Sequence, residues 1–274
     1  MKKVLSIVIV IALAITFGVS AFFVGRYVYQ SRKEKAENDK LQQMVQDGTR
    51  PTAGEQQNET VNQGDHVTPT IQDKDDNDQI SDSGMLKRYE EVYKLNGDMV
   101  GWIQIEGTKV DYPVMHTPQS PNYYLKRNFN GDYSEWGCIY MREECDFNKP
   151  SDNVTIYGHN MNDGSMFGDL RKYNDVNFYK DHKYIFLDSL TEYHVYEIFS
   201  VFKTTANQGE GFAYHQMEDA ANEKEFNTFV KTCKDLSFYD TGITPVYGDK
   251  LLCLSTCEYT LDNGRLVVAA RRVN

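Results

Sequence analysis

Two residues near the end of the chain, Cys257 and Arg265, combine a nucleophile with a fixed positive charge. An apolar run that begins at Leu251 ends at Thr256 and Cys257, and a polar stretch ending in Gly264 leads into a second apolar run headed by Arg265. Two such runs joined by a Gly-containing loop predict a β-hairpin. Because a hairpin makes its strand ends neighbours, the thiol and the guanidinium should flank one loop. A nearby guanidinium favours the thiolate and can stabilise an oxyanion.

A cysteine nucleophile also needs a group that transfers protons, and His159 is the best-placed histidine. It follows the apolar segment 153–157 directly after Gly158 and leads into the turn-rich segment 160–164. Catalytic groups concentrate on loops that a rigid scaffold holds in place. His66 is discounted because it lies in a polar linker. The remaining histidines occupy polar or strand-edge contexts, where a solvated side chain is the usual case: His116, His182, His194 and His215.

The chain that must position these residues divides into three parts. Residues 1–30 contain the uncharged apolar run 4–24, and about 20 apolar residues suffice for a helix to cross a bilayer, so a transmembrane anchor is predicted. A cleaved signal peptide is the alternative, although the apolar run continues beyond what a signal peptide needs. Residues 31–84 are polar and acidic, which predicts a disordered linker. Residues 85–274 have a globular composition and form the predicted catalytic domain.

Charge and cysteine content limit the function classes. The formal net charge of -11 argues against a nucleic-acid partner. The cysteines number 5, so at least one thiol is unpaired within a monomer. Cys253, inside the apolar run, and Cys233, on a predicted helix face, are interpreted as core residues. The acidic stretch 73–78 lacks the Gly and Glu positions of a calcium-binding loop, so it is interpreted as solvated linker.

The pattern of the last part predicts a mainly β fold. A helix near Leu86 ends at Asn96-Gly97, and a second helix, capped by Asn222, precedes the cysteine strand. Alternating or apolar segments predict strands at 99–105, 109–114, 138–142, 153–157, 184–187, 193–202, 250–255 and 265–273. Seven or eight strands with few helices predict a closed or nearly closed β-barrel.

Three spaced motifs resemble those of class B sortases. Tyr157-Gly158-His159-Asn160-Met161, followed by Gly164-Ser165-Met166-Phe167, is similar to the histidine motif of that class. Leu254-Ser255-Thr256-Cys257 resembles the TLxTC signature, with Cys253 in place of the first Thr. Gly264-Arg265-Leu266-Val267-Val268 resembles the arginine motif that follows it. The resemblance covers roughly residues 85–274, because the helix at 222–234 and the helix near Leu86 also fit the class.

The resemblance implies a sortase-like closed β-barrel that works as a cysteine transpeptidase. By this resemblance Cys257 attacks the carbonyl after the Thr of a C-terminal sorting signal and forms a thioacyl enzyme. His159 protonates the leaving amine and later activates the incoming amine. Arg265 holds the oxyanion or orients the peptide. Ser255 and Glu258 resemble substrate-contacting positions.

The resemblance also implies partners and a location. The substrates are secreted proteins with an NPxTN-like or PxTG-like sorting signal, and the acceptor is an amine on a peptidoglycan precursor. No metal or organic cofactor is implied. The expected location is the membrane of a Gram-positive bacterium, with one span and the catalytic domain outside the cell.

Two other functions remain as alternatives. A cell-wall cysteine amidase or endopeptidase would also use Cys and His, although its Cys usually stands at a helix N-terminus. A non-catalytic anchored β-domain would bury Cys257 and would be indifferent to its replacement. The predicted position of Cys257 at the end of a strand disfavours the first of these.

Overall fold

The structure, a computed structural model, describes residues 2–46, 80–147, 149, 151–207 and 209–274. It divides into two compact units, Met1–Gln43 and Met44–Asn274. The N-terminal helix α1 spans Lys2–Gln46. Large apolar side chains such as Val10 and Phe17 are exposed along it. By length and composition α1 can cross a membrane, which suits it to membrane anchoring.

Helix α1 continues further than the sequence predicts. The sequence places the boundary between anchor and disordered linker at residue 30 and allows the first few linker residues to continue the helix, but the helix runs to Gln46. The added segment is rich in Lys, Glu and Gln, which are good helix formers. Lys33 and Glu37 also form an ion pair of 3.6 Å one helical turn apart. Residues 47–79 of the predicted linker lie outside the described residues.

Among the described residues, eight strands close into a barrel in the order β1-β2-β3-β4-β7-β8-β6-β5. Their bounds are β1 Met99–Gln104, β2 Asp111–Met115, β3 Ile139–Met141, β4 Asn153–Tyr157, β5 Tyr184–Ser189, β6 Val195–Thr205, β7 Leu251–Glu258 and β8 Gly264–Arg272. The pairs β2·β3 and β4·β7 are parallel, and the other neighbours are antiparallel. The predicted closed barrel is therefore confirmed, with eight strands.

Alternation along β7 gives each face of this strand a separate core. Leu252 and Leu254 belong to the large apolar cluster that fills the barrel. Leu251 and Cys253 belong to a second cluster, which they share with the helix Glu223–Leu236. Successive side chains of a strand point to opposite faces, so Ser255 and Cys257 share the outer face with Cys253.

In the described part of the chain, three shorter α-helices accompany the barrel: α2 Lys87–Leu95, α3 Val176–Asp181 and α4 Glu223–Leu236. Asn222 caps α4 as predicted, because its side chain accepts a 3.1 Å hydrogen bond from the Glu225 amide. The helix buries Phe226, Phe229, Val230 and Cys233. Burial of each large apolar side chain on this face contributes roughly 1.5–3 kcal/mol. Helix α4 therefore covers the outer face of the strand that carries Cys257. Helix α3 was not among the elements predicted from the sequence.

His194 contradicts the expectation that it is solvated. It lies just before β6 and is 6% exposed. Burial, and then the charge of Arg272, lower the pKa of His194 to about 4, although Glu192 partly opposes the change. The sequence pattern missed this because the burial depends on segments that meet only in the closed barrel.

We expect His194 to make the free energy of unfolding depend on pH. Its folded pKa of about 4 lies below its unfolded value of about 6.5, so between these values the unfolded state binds more protons. The stability from neutral His194 is therefore complete above about pH 6.5 and is lost as the pH falls through about 4, by up to roughly 3 kcal/mol. Urea unfolding of the full chain in detergent, followed by tryptophan fluorescence, should show a shallower loss for His194→Asn. Parallel pH curves for the two proteins would contradict this assignment.

Candidate active site

Register places the three predicted catalytic residues in one row across neighbouring strands. In the parallel pair β4·β7, the last partners are Tyr157 and Ser255. His159 and Cys257 each lie two residues beyond this pair, and the Asn160 side chain next to His159 donates to the Cys257 carbonyl at 2.7 Å. In the antiparallel pair β7·β8, Cys257 is the direct partner of Arg265. The predicted hairpin is thus confirmed, and the order across this edge of the barrel is His159, Cys257, Arg265.

Cys257 lies within β7 rather than beyond its end. The sequence analysis ended this strand at Ser255, but the ladder with β8 continues through Cys257 to Glu258. Cys257 is half-buried on the outer face of the strand. Burial raises the pKa of the Cys253 thiol far above its ordinary value, and burial does the same for Cys233. These two thiols therefore stay protonated in the core, as predicted, and Cys257 is the accessible one of the three.

Arg265 is half-buried, and backbone carbonyls hold one end of its guanidinium. Nη1 donates to the carbonyl oxygens of Gly264 at 2.9 Å and Asn263 at 3.1 Å, and to Asn263 Oδ1 at 3.3 Å. Asn263 reaches this position through a left-handed backbone conformation with φ 48. Within the described part of the chain, all of these hydrogen bonds use Nη1. Nε and Nη2 are therefore available to donate to a bound group, and the planar fork suits a developing oxyanion.

His159 is half-buried and is tied to the backbone of another segment. Its Nε2 lies 2.7 Å from the carbonyl oxygen of Leu125. A carbonyl only accepts, so Nε2 carries the hydrogen, and in the neutral ring the lone pair is then on Nδ1. Gly158, the preceding residue, is closely packed, since a Cβ there would overlap Ile139 Cδ1 and lie 2.8 Å from the Phe167 ring. Nδ1 is therefore the ring nitrogen that can exchange a proton with a substrate or a thiol.

Tyrosine side chains line the outer face beside Cys257. Tyr140 and Tyr157, partners on β3 and β4, have ring centroids 5.4 Å apart. Tyr214, from a short 3-10 turn, shares a 2.6 Å hydrogen bond with Ser255 Oγ. Burial raises the pKa of Tyr214 to about 12 against the opposing effect of Ser255, so it stays neutral. Strand alternation could have placed Tyr140 and Tyr157 on this face, but no sequence signal links Tyr214 to Ser255.

Glu258 lies on the opposite face of β7 from Cys257, and its carboxylate is fully engaged. Oε1 is 2.9 Å from Lys203 Nζ, and Oε2 accepts from the Thr260 amide, the Thr260 hydroxyl and the Leu261 amide at 3.0, 2.8 and 3.2 Å. Burial opposes ionisation, but the hydrogen bonds from Lys203 and Thr260 outweigh it and lower the pKa of Glu258. Glu258 therefore orders the loop after Cys257. Its substrate contact, like that of Ser255, stays a prediction.

The assembled groups can perform acyl transfer. In the parts of the chain that the structure describes, no group of three or more His, Cys, Asp or Glu side chains is placed to hold a metal ion. A thiol, an imidazole with a free Nδ1 and a guanidinium with free donors supply nucleophile, acid-base and oxyanion stabilisation. These three side chains therefore cover each role that acyl transfer through a thioester needs.

Comparison with known proteins identifies the family. The family model described as the Sortase domain matches residues 103–273, a span that holds the whole row. The sortase B of Listeria monocytogenes is 37% identical over 186 residues, which are 67% of this chain and 73% of that protein. The chain belongs to the class B sortases. Sortases are cysteine transpeptidases, so this sortase is an enzyme of that kind.

Solved structures share the fold of this sortase. The Staphylococcus aureus sortase B–substrate complex superposes with a TM-score of 0.71 at 25% identity, covering 90% of this chain and 99% of that one. A sortase B complexed with triglycine gives a TM-score of 0.70 at 25% identity, covering 89% of this chain and 99% of that one. The cysteine amidase and the non-catalytic domain are not favoured, since Cys257 lies half-buried on a barrel strand rather than at a helix N-terminus or in a core.

Proposed function

We propose that this sortase cleaves a C-terminal sorting signal after its Thr and joins the protein to a peptidoglycan amine. The observation that carries the proposal is the row in which His159 follows β4, Cys257 lies on the neighbouring strand β7, and Arg265 is its direct partner on β8. It supplies each group that thioester-mediated acyl transfer requires, on a rigid barrel. Cys257 is the proposed nucleophile, His159 the acid-base group, and Arg265 the oxyanion donor.

The first half of the reaction forms a thioacyl enzyme. His159 Nδ1 takes the proton of the Cys257 thiol, and the resulting thiolate adds to the carbonyl carbon of the Thr. The oxyanion accepts hydrogen bonds from Arg265. When the tetrahedral intermediate collapses, the carbon–nitrogen bond breaks and the leaving amine takes the proton from His159 Nδ1. The products are a thioester on Cys257, a neutral imidazole and a released C-terminal fragment.

The second half transfers the acyl group. An incoming amine attacks the thioester carbonyl and gives a proton to His159 Nδ1. Collapse of this intermediate breaks the carbon–sulfur bond, which forms an amide and restores the Cys257 thiolate. The proton on His159 Nδ1 then returns to this thiolate, which restores the starting enzyme.

The tyrosine-lined face beside Cys257 is the proposed peptide site. An extended NPxTN-like or PxTG-like signal fits an apolar surface with a few polar groups, and Ser255 and Glu258 are the proposed polar contacts, Glu258 through the loop it orders. The likeness to the Staphylococcus aureus substrate complex supports a peptide here, and the likeness to the triglycine complex supports an amine acceptor. The proposed partners are secreted proteins with such signals and a peptidoglycan precursor, with no cofactor.

The apolar helix α1 supports the proposed location. We assign residues 1–30 to a single membrane span, residues 31–84 to a linker whose first part is helical, and residues 85–274 to a catalytic domain outside the cell. That side of the membrane holds both secreted proteins and peptidoglycan amines.

The test uses the full chain in detergent with quenched peptides. NPxTN-like and PxTG-like peptides, each with a matched peptide in which Ala replaces Thr, are incubated with and without triglycine. We expect cleavage after Thr and, with triglycine, a new amide at that carbonyl by mass spectrometry. Equal cleavage of the Ala peptides, or no cleavage of any peptide, would overturn the proposal.

A further inference from the structure

Beyond the last backbone pair of β4 and β7, side chains connect the loop that begins at His159 to strand β7. The backbone pairing of β4 with β7 ends where the Gly158 amide donates to the Ser255 carbonyl at 3.2 Å. His159 and Cys257 both lie beyond this point. Asn160 Nδ2 then donates to the Cys257 carbonyl at 2.7 Å. Thr256 Oγ1 donates to the Gly158 carbonyl, also at 2.7 Å.

Asn160 has a fixed backbone from which to make this contact. It is 7% exposed, and its backbone forms a β-bridge with Met166. In the same turn, the Phe167 amide donates to the His159 carbonyl at 2.9 Å. The loop that begins with His159 is therefore closed on itself, and the Asn160 amide fastens this loop to the residue that carries the thiol.

Chemistry determines which way the Asn160 amide faces. A carbonyl only accepts, so the NH₂ group must face Cys257. Oδ1 is then buried and has no hydrogen-bond partner among the described residues. An unsatisfied buried acceptor costs about 1–3 kcal/mol. Stability alone therefore does not account for an amide at this position, whereas a directed donor to Cys257 does.

We propose that Asn160 is a positioning residue, whose hydrogen bond to the Cys257 carbonyl sets the separation of the His159 imidazole from the thiol. The inference rests on the proposed function, since it concerns the same reaction. Asn160 is the next residue after His159 and binds the nucleophile's own backbone, so it is the shortest described route between the two groups. A misplacement of about 1 Å can cost on the order of 100-fold in rate.

The test replaces the donor and keeps the shape. In Asn160→Asp of the full chain, a carboxylate faces the Cys257 carbonyl, and kcat per alkylation-titrated Cys257 should fall at least about 10-fold at pH 7.5. KM should change by less than about threefold, because the peptide surface is untouched. The matched control is Asn162→Asp, the same change at an exposed position of the same loop.

Acid should partly rescue Asn160→Asp. A buried carboxyl beside a carbonyl has a raised pKa, and its protonated form donates as the amide did. The ratio of mutant to wild-type kcat should therefore rise as the pH falls from 7.5 to 5, while the Asn162→Asp ratio stays flat. A merely structural role would lower the melting temperature without this pH-dependent recovery.

A second variant and a measurement without substrate keep the test decisive if Asn160→Asp does not fold. Asn160→Ala removes both the donor and the orphaned acceptor, and iodoacetamide alkylation of Cys257 across pH reports thiol reactivity without any peptide. We expect a shifted alkylation profile in both Asn160 variants. A wild-type kcat together with a wild-type alkylation profile in Asn160→Ala would overturn the inference about Asn160 and leave the proposed function standing. If the wild-type chain cleaves no peptide, the proposed function is overturned, and the alkylation profiles alone then decide on Asn160.

Discussion

Cys257→Ala should lower kcat/KM for a sorting-signal peptide by more than about a thousandfold, because it removes the nucleophile on which both halves of the reaction depend. The Cys257 side chain is half-buried beside Arg265, so the smaller Ala leaves a shallow surface gap rather than a core cavity. The folded fraction should therefore remain near that of the wild-type chain. Peptide cleavage measured by fluorescence and mass spectrometry, beside a thermal unfolding curve, separates the two effects.

Cys253→Ala is the matched control, since it makes the same change four positions earlier on the same face of β7. Cys253 is fully buried between the barrel and α4, so this variant should lose stability and keep its turnover per folded molecule. Undiminished cleavage in Cys257→Ala, or a comparable loss of chemistry in Cys253→Ala, would contradict the assignment of the nucleophile.

Arg265→Lys should lower kcat/KM by about 100-fold, although it keeps the positive charge. The guanidinium places Nη1 on the carbonyls of Asn263 and Gly264 and thereby directs its other donors outwards. A lysine has a single ammonium nitrogen, so if this nitrogen donates to the same two carbonyls, no second nitrogen is left to reach the oxyanion. Loss of one oxyanion donor costs roughly 10²–10³ in kcat, which is the scale expected here.

The kinetic split tells which role Arg265 has. A fall in kcat with little change in KM indicates oxyanion stabilisation, whereas a rise in KM alone indicates peptide orientation. Arg271→Lys, at the far end of the same strand and paired with Glu197 at 3.1 Å, is the control and should keep wild-type turnover. Near-wild-type turnover in Arg265→Lys would remove Arg265 from the mechanism.

Local patterns were sufficient to predict the barrel strands and the pairing of Cys257 with Arg265. The β7–β8 hairpin follows from two apolar runs around one Gly-containing loop, and its register alone brings Cys257 to Arg265. His159 was recognisable because a glycine and a turn-rich loop follow an apolar strand. Asn222 and the helical spacing of Phe226 predicted α4 for the same reason, since capping and periodicity are properties of short segments.

Long-range contacts could not be predicted. Tyr214 lies 41 residues from Ser255, Leu125 lies 34 residues from His159, and these pairs meet only after the barrel closes. Burial of His194 is of the same kind. The extension of α1 to Gln46 has the opposite cause, because the polar composition of residues 31–46 predicts disorder whereas their residue types also favour a helix.

Cys257 should carry the acyl group between donor and acceptor, and the thioacyl enzyme can be trapped directly. The full chain, incubated with a cleavable sorting-signal peptide and no amine, is quenched in acid and analysed by intact and peptide-level mass spectrometry. We expect an adduct on Cys257 whose mass equals the peptide up to and including its Thr and which hydroxylamine releases. Cleavage of the peptide without this adduct, or an adduct on a different residue that persists in Cys257→Ala, would contradict it.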